Sequence, residues 1–193
     1  MDLTDAGKIK RVRGSAISCR VPPTSAARVS HSAKGLLQRL IPDVWISTDA
    51  HSGSKTGAKG CGPSAGLKVV LTSESTTDVV MTAEACLDTS VERGKVLPED
   101  LGHNAASMLL EEVDKGGCVD TVCQSLVFIL MCLCPEDVSK VTVGTLSKYS
   151  IRTLRLLKAS LGVEFKVRPD EETKTVTLSC LGTGFKNQSK KVT

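Results

Sequence analysis

Apolar residues recur at helical spacing twice between Gly94 and Leu133, and the two patterns meet at Gly116-Gly117. In the first, Leu101, Ala105, Met108, Leu109 and Val113 fall at i, i+4, i+7, i+8 and i+12, one stripe of an amphipathic helix. Glu111, Glu112, Asp114 and Lys115 lie largely off that stripe. Pro98, Glu99 and Asp100 suit a first turn, where a missing N–H is harmless and carboxylates face the positive end of the dipole. In the second pattern almost every residue from Leu126 to Cys134 is apolar, which predicts a helix buried on all sides. The rest of the chain is expected to pack on this pair.

Before it, the pattern predicts β-α-β-β-β. KIKRVRGSAISCRV from Lys8 becomes strand-like, Pro22-Pro23 breaks it, and Thr24 or Ser25 is placed to cap a helix. That helix carries Val29, Ala33, Leu36, Leu37 and Leu40 on one side. Strands follow at 43–48, 67–72 and 79–85, with a Gly/Ser/Lys-rich surface loop over 49–66. After it come a strand at 140–144, a helix from about Ser147 stopped by Gly162, and strands at 163–168 and 175–181. The second half thus reads α-α-β-α-β-β. Each half predicts helices on one face of a sheet, an α+β fold in two units. Residues 1–7 read as a flexible start and 185–193 as a basic tail. A second half that opens on helices is expected to lack a first strand, as in a piece of a longer chain.

Composition narrows the class. The chain has 193 residues with three Phe, one Tyr and one Trp, so aliphatic residues must fill the core. Net charge is +4, too mild to indicate nucleic-acid binding by itself. The N-terminal MDLTDAGKIKRVRG is too polar for a signal peptide, and the apolar run at 126–134 is too short to span a bilayer. No membrane partner is expected. Eight cysteines, several inside apolar runs and none spaced C-x-x-C, predict reduced core thiols rather than a zinc site. No metal and no cofactor is expected.

Candidate chemistry is sparse. Around Gly53–Lys59 the phosphate-loop pattern fails, because Ala58 stands where the second glycine belongs and no Ser or Thr follows Lys59. His31, His51 and His103 have no nucleophile elbow beside them and read as surface histidines. The pairs Glu99-Asp100, Glu111-Glu112 and Glu171-Glu172 fit a helix start, an outer helix face and a turn. Two basic groups stand out. Lys8, Lys10, Arg11 and Arg13 lie close together, and Lys148, Arg152, Arg155 and Lys158 fall at i, i+4, i+7 and i+10 on the third long helix. That second set forms a positive stripe, placed opposite Ile151, Leu154, Leu157 and Leu161, and suits a phosphate backbone or an acidic protein. Lys10, Arg11, Arg13, Lys148, Arg152, Arg155 and Lys158 are therefore the candidate contact residues. Aromatic residues for base stacking are scarce.

Several segments resemble the RNA 3′-terminal phosphate cyclase family, in its cyclase-like rather than catalytic branch. They are GKIKRVRG at 7–14, VLPEDLG at 96–102, LLEEVDKGGCVDT at 109–121, QSL at 124–126, DVSKV at 137–141, GTLSKYSIRTLRLLK at 144–158 and GTGFKNQSK at 182–190. The resemblance implies repeated α+β units with a smaller insert domain in the third. Residues 8–88 would be the insert and 89–184 the C-terminal part of the third repeat. It also implies that catalytic members carry an adenylated histidine where this chain has Tyr149. Phenols, unlike imidazoles, hold their proton at neutral pH and make poor nucleophiles there. No acid follows Asp120 where catalytic members are acid-rich; Thr121-Val122-Cys123-Gln124-Ser125 stands there instead. Gly62-Pro63-Ser64-Ala65-Gly66 departs from the Ser-Pro-Gly loop of the branch. The implied role is non-catalytic: a nucleolar factor in early pre-rRNA processing by the small-subunit processome, in contact with a nucleolar GTPase and pre-rRNA or the pre-ribosomal particle. The alternative is an RNA-processing enzyme, either a 3′-phosphate cyclase or a pre-rRNA endonuclease. A third possibility is a truncated product with no role of its own.

Overall fold

A computed structural model of the chain describes residues 1–51, 64–87 and 96–186. They form four helices and two four-stranded sheets, the α+β architecture expected from the pattern. Contacts divide the chain into two compact units, Gly7–Asp114 and Met1–Ala6 with Lys115 onward. No helix among the described residues is long and apolar enough to cross a membrane.

The first unit follows the predicted β-α-β-β-β. Strand β2 (Ile9–Cys19) leads through helix α1 (Pro23–Leu37) to the parallel strand β3 (Val44–His51). Strands β4 (Gly66–Ser75) and β5 (Val80–Cys86) then add antiparallel on the other side, giving the order β3-β2-β4-β5. Alternation does the work: Leu67, Val69 and Leu71 of β4, with Val12 and Ala16 of β2, turn toward the core that α1 covers with Ala26, Val29, Ala33 and Leu37. The expected Thr24 or Ser25 cap is not used. Helix α1 begins at Pro23, with Pro22 before it, because proline already holds the first-turn φ and has no N–H to satisfy. The Gly/Ser/Lys-rich stretch over 52–63, with its phosphate-loop question, lies outside the described residues.

Helix α2 (Pro98–Lys115) groups with this unit rather than with the helix after it. Its anchors are on α1. Arg28 grips Glu99 through Nε at 2.6 Å and Nη2 at 2.8 Å, and Ser32 donates to the Glu99 carbonyl at 2.7 Å. Glu99 is held below the usual carboxylate range, first by that Arg28 hydrogen bond. Gly102 lies so close to α1 that a Cβ there would meet the Val29 carbonyl. The buried residues Leu101, Gly102, Ala105, Ala106 and Leu109 form the stripe, whereas the expected Met108 is exposed. Thus the two adjacent helical patterns fall in different units, and the expected boundary at 88/89 lies outside the described residues.

The second unit is built on the sheet β1-β6-β8-β7. The stretch 1–7, expected as a flexible start, holds a short strand. Strand β1 (Asp2–Leu3) pairs parallel to strand β6 (Val138–Val143), and the Lys140 amide donates to the Met1 carbonyl at 2.8 Å. The missing first strand is therefore present, on the far side of the first unit in sequence. Antiparallel strands β7 (Lys166–Asp170) and β8 (Thr175–Leu181) complete the sheet. Helix α3 (Gln124–Leu133) covers one face, burying Phe128, Met131 and Cys132 against Val141, Leu178 and Cys180. It is not buried all round: Leu126, Ile129 and Leu130 remain exposed, since neighbours exist on one side only among the described residues. The thiols of Cys118, Cys132 and Cys180 are buried and free, and burial pushes Cys180 up to about 11.

Replacing Gly102 with alanine tests the α1–α2 contact. In an exposed helix Gly→Ala gains roughly 0.5–1 kcal/mol. Here urea unfolding should instead show a loss of about 1–3 kcal/mol, because the methyl drives backbone apart.

Candidate functional site

The candidate site is the start and outer face of helix α4 (Lys148–Leu161), and its position is set by the turn that precedes α3. Gly116 and Gly117 adopt φ of 70° and 83°. A side chain at Gly117 would collide with Val143 and Gly144 of the β6 end, so only glycine lets the two segments meet. The chain then forms a bridge to Val143, and the Cys118 amide bonds the Thr142 carbonyl at 2.7 Å. Asp120, 3% exposed, turns inward and accepts the Cys123 amide at 2.8 Å. Its carboxylate thus closes the entry to α3. Burial, with Asp120 beside it, pushes the Cys123 thiol up.

Gln124, the first residue of α3, is 1% exposed and binds three places at once. Its Nε2 donates to the Thr145 carbonyl at 3.1 Å. Its Oε1 accepts from the Ser150 hydroxyl at 2.8 Å and from the Ser147 amide at 3.4 Å. Ser147 in turn caps α4, accepting the Ser150 amide at 3.0 Å, with its hydroxyl 2.8 Å from that of Ser150. Farther along, Thr153 donates to Ser125 at 3.3 Å. The α3–α4 seam is therefore polar at its start, with Leu157 as its apolar end. The expected apolar face of α4 is corrected accordingly. Ser150, Thr153 and Leu157 are the buried residues, whereas Ile151 and Leu161 are exposed. Hydroxyls can line a helix seam when each finds a partner.

At about 100° per residue, Lys148, Arg152 and Arg155 lie within about 60° of one another and opposite Ser150, Thr153 and Leu157. All three are exposed and form no ion pair among the described residues. Lys158 sits to one side and is bound to Glu164 at 2.8 Å. That partner raises the Lys158 ammonium above its ordinary value, and lowers Glu164. Tyr149 is 69% exposed beside the stripe, and its carbonyl accepts the Thr153 hydroxyl at 3.1 Å. The stripe is thus a three-cation surface rather than the four-residue one expected.

The N-terminal basic group behaves differently. Arg13 makes two 2.8 Å hydrogen bonds to the carboxylate of Asp43, and Arg11 Nε bonds Glu74 at 2.7 Å. The Arg13 fork holds Asp43 below the usual carboxylate range and raises its own. Arg11 and Arg13 serve strand and loop positions, so Lys8 and Lys10 are the exposed cations of that group. The histidines all belong to the first unit. His51 pairs with Asp49 at 3.1 Å, while His31 and His103 line a groove of about 300 Å³ between α1 and α2. The described residues hold no cluster of three metal-ligating side chains. Sequence reasoning missed Gln124. Its signal was a lone polar pair, Gln124-Ser125, opening an otherwise apolar helix.

A family model described as the insert domain of RNA 3′-terminal phosphate cyclase (RTC) matches residues 4–114. That match covers more than half of the sequence, and the chain belongs to the RNA 3′-terminal phosphate cyclase family. Among curated proteins it is 46% identical to the mouse RNA 3′-terminal phosphate cyclase-like protein over 98% of this chain and 51% of that one. It is 40% identical to the probable cyclase-like protein of Dictyostelium discoideum, over 98% of this chain and 53% of that one. It is 37% identical to the rRNA processing protein rcl1 of Schizosaccharomyces pombe, over 98% of this chain and 50% of that one. The chain thus spans about half the length of the relatives it matches.

Exchanging Gln124 for alanine should destabilise the second unit by about 2–3 kcal/mol in chemical denaturation, since Ser150 and the Thr145 carbonyl lose buried partners. A change below about 0.5 kcal/mol would mean that the seam does not rest on this side chain.

Proposed function

We propose that this chain acts without catalysis in ribosome biogenesis, in early pre-rRNA processing for the small ribosomal subunit. It does so by contact with pre-rRNA or the pre-ribosomal particle and with a nucleolar GTPase, in the nucleus and nucleolus. A relative named as an rRNA processing protein supports the process. The carrying observation is the outer face of α4, where Lys148, Arg152 and Arg155 stand exposed and unpaired among the described residues, held rigid by the Gln124 clamp behind them. A pre-ordered cationic helix face loses little entropy on meeting a polyanion.

Tyr149 supports the non-catalytic reading. The resemblance puts a histidine nucleophile at this place in catalytic members, and the Lys115–Thr193 stretch contains no histidine. Asp120, the acid an endonuclease would need nearby, is committed to the Cys123 amide. The exposed apolar side of α3, with Leu126, Ile129 and Leu130, offers a surface for further protein, such as the half of its relatives that this chain does not match.

Reversing charge with Arg152→Glu and Arg155→Glu should weaken binding to a pre-rRNA segment at least about tenfold near physiological salt. The circular dichroism spectrum should stay unchanged. Unchanged affinity would remove the α4 stripe from the interface. Incubation with labelled ATP should give no covalent adenylate. An adduct that disappears in Tyr149→Phe would make this an enzyme.

A further inference from the structure

The second sheet has a face that no helix covers among the described residues. Register defines it. Ser139, Val141 and Val143 of β6, with Leu178 and Cys180 of β8, point toward α3 and are buried or nearly so. The alternate positions therefore point away. One row across the sheet is Lys166, Ser179, Lys140 and Asp2, and the next is Arg168, Thr177 and Thr142. Lys140, Lys166 and Arg168 are exposed and enter no ion pair or hydrogen bond among the described side chains. Three hydroxyls lie between them, two of them, Thr142 and Thr177, sharing a 3.0 Å hydrogen bond.

Two carboxylates share the face, and both are engaged. Asp2 accepts the Thr4 hydroxyl at 2.9 Å. Asp170 accepts the Glu172 amide at 3.0 Å and the Thr173 amide at 3.5 Å, within the β7–β8 turn. The cations are left to solvent. Strand spacing puts Lys140 and Lys166 about 10 Å apart, with Arg168 about 7 Å farther along β7. The array is fixed by main-chain ladders.

We propose that this face binds the sugar–phosphate backbone of RNA, independently of base sequence. The inference rests on the reading that RNA is a partner of the chain, and adds a second surface to the one on α4. The chemistry favours a phosphodiester chain over an acidic protein. Protein interfaces centre on aromatic and aliphatic anchors and are depleted in lysine. This face has lysines and hydroxyls at its centre and apolar residues only at one end, where Val138 pairs with Leu181. Cations neutralise phosphates, and hydroxyls donate to their oxygens without reading bases. No aromatic residue lies in these rows to stack a base.

The test uses the full chain and single-stranded RNA of mixed sequence, titrated by fluorescence anisotropy over a range of salt. The sheet variant combines Lys140→Glu, Lys166→Glu and Arg168→Glu. It should bind at least about tenfold more weakly, and its log–log salt slope should shrink by about 2, close to 0.7 for each lost phosphate contact. Affinity should not depend on base composition. A glutamine version of the same triple variant guards against misfolding and should show the same slope change. An unchanged slope in a folded variant overturns the proposal. So does a sheet variant that keeps RNA affinity and instead loses an acidic protein partner. The Arg152→Glu and Arg155→Glu variant, run in parallel, separates the two surfaces. If it alone loses affinity, the sheet assignment fails and α4 stands. If the sheet variant alone loses affinity, α4 fails and the sheet stands. If the unaltered chain binds no RNA, both fall.

Discussion

One amide side chain holds the second unit in register. Gln124 opens α3, yet its three partners lie on the loop after β6 and on the first turn of α4. A buried amide is costly unless each polar atom is matched, so the seam has one low-energy arrangement. An apolar contact of equal size would tolerate sliding. The direction of α4, and with it the cations on its far side, follows from that match. The glycine turn works with it, since Gly117 lets the chain touch the end of β6 and Asp120 closes the entry to α3. The segment GGCVD at 116–120, with Gln124 and Ser125 after it, is thus the device that orients α4.

Much of this was legible in the pattern. The apolar run of β4 and the Pro22-Pro23 break at the start of α1 marked both elements, and Ser147 and Gly162 bounded α4 as helix-terminal chemistry requires. Other features were hidden because they depend on partners far along the chain. The β1 strand is two residues long and has no periodicity to read; only its pairing with β6 makes it a strand. Arg11 and Arg13 look like a free basic cluster until Glu74 and Asp43 arrive beside them. A helix that is apolar on every side cannot announce which side lacks a neighbour, so the open side of α3 was invisible.

The α4 stripe was seen and its backing was not. A helical wheel locates Lys148, Arg152 and Arg155 together, but it favours Ile151 and Leu161 as the buried side. Hydroxyls took that place because Gln124 and Ser125 supply matching groups across the seam. Likewise, Lys140, Lys166 and Arg168 are dispersed in sequence and become neighbours only through strand pairing. Sheet faces gather residues that no linear window contains.

The path of the backbone adds one more consequence. The chain leaves the second sheet after β1, builds the whole first unit, and re-enters at Lys115. The first unit is thus joined to its host by two covalent crossings. Were a protease to cut the earlier crossing, β1 would no longer be tied to its sheet through the first unit, and its pairing with β6 would have to retain it. The strand would then be held as a ligand is, against a translational-entropy cost, so the host sheet would be prone to lose an edge while the inserted unit stayed attached at its other end.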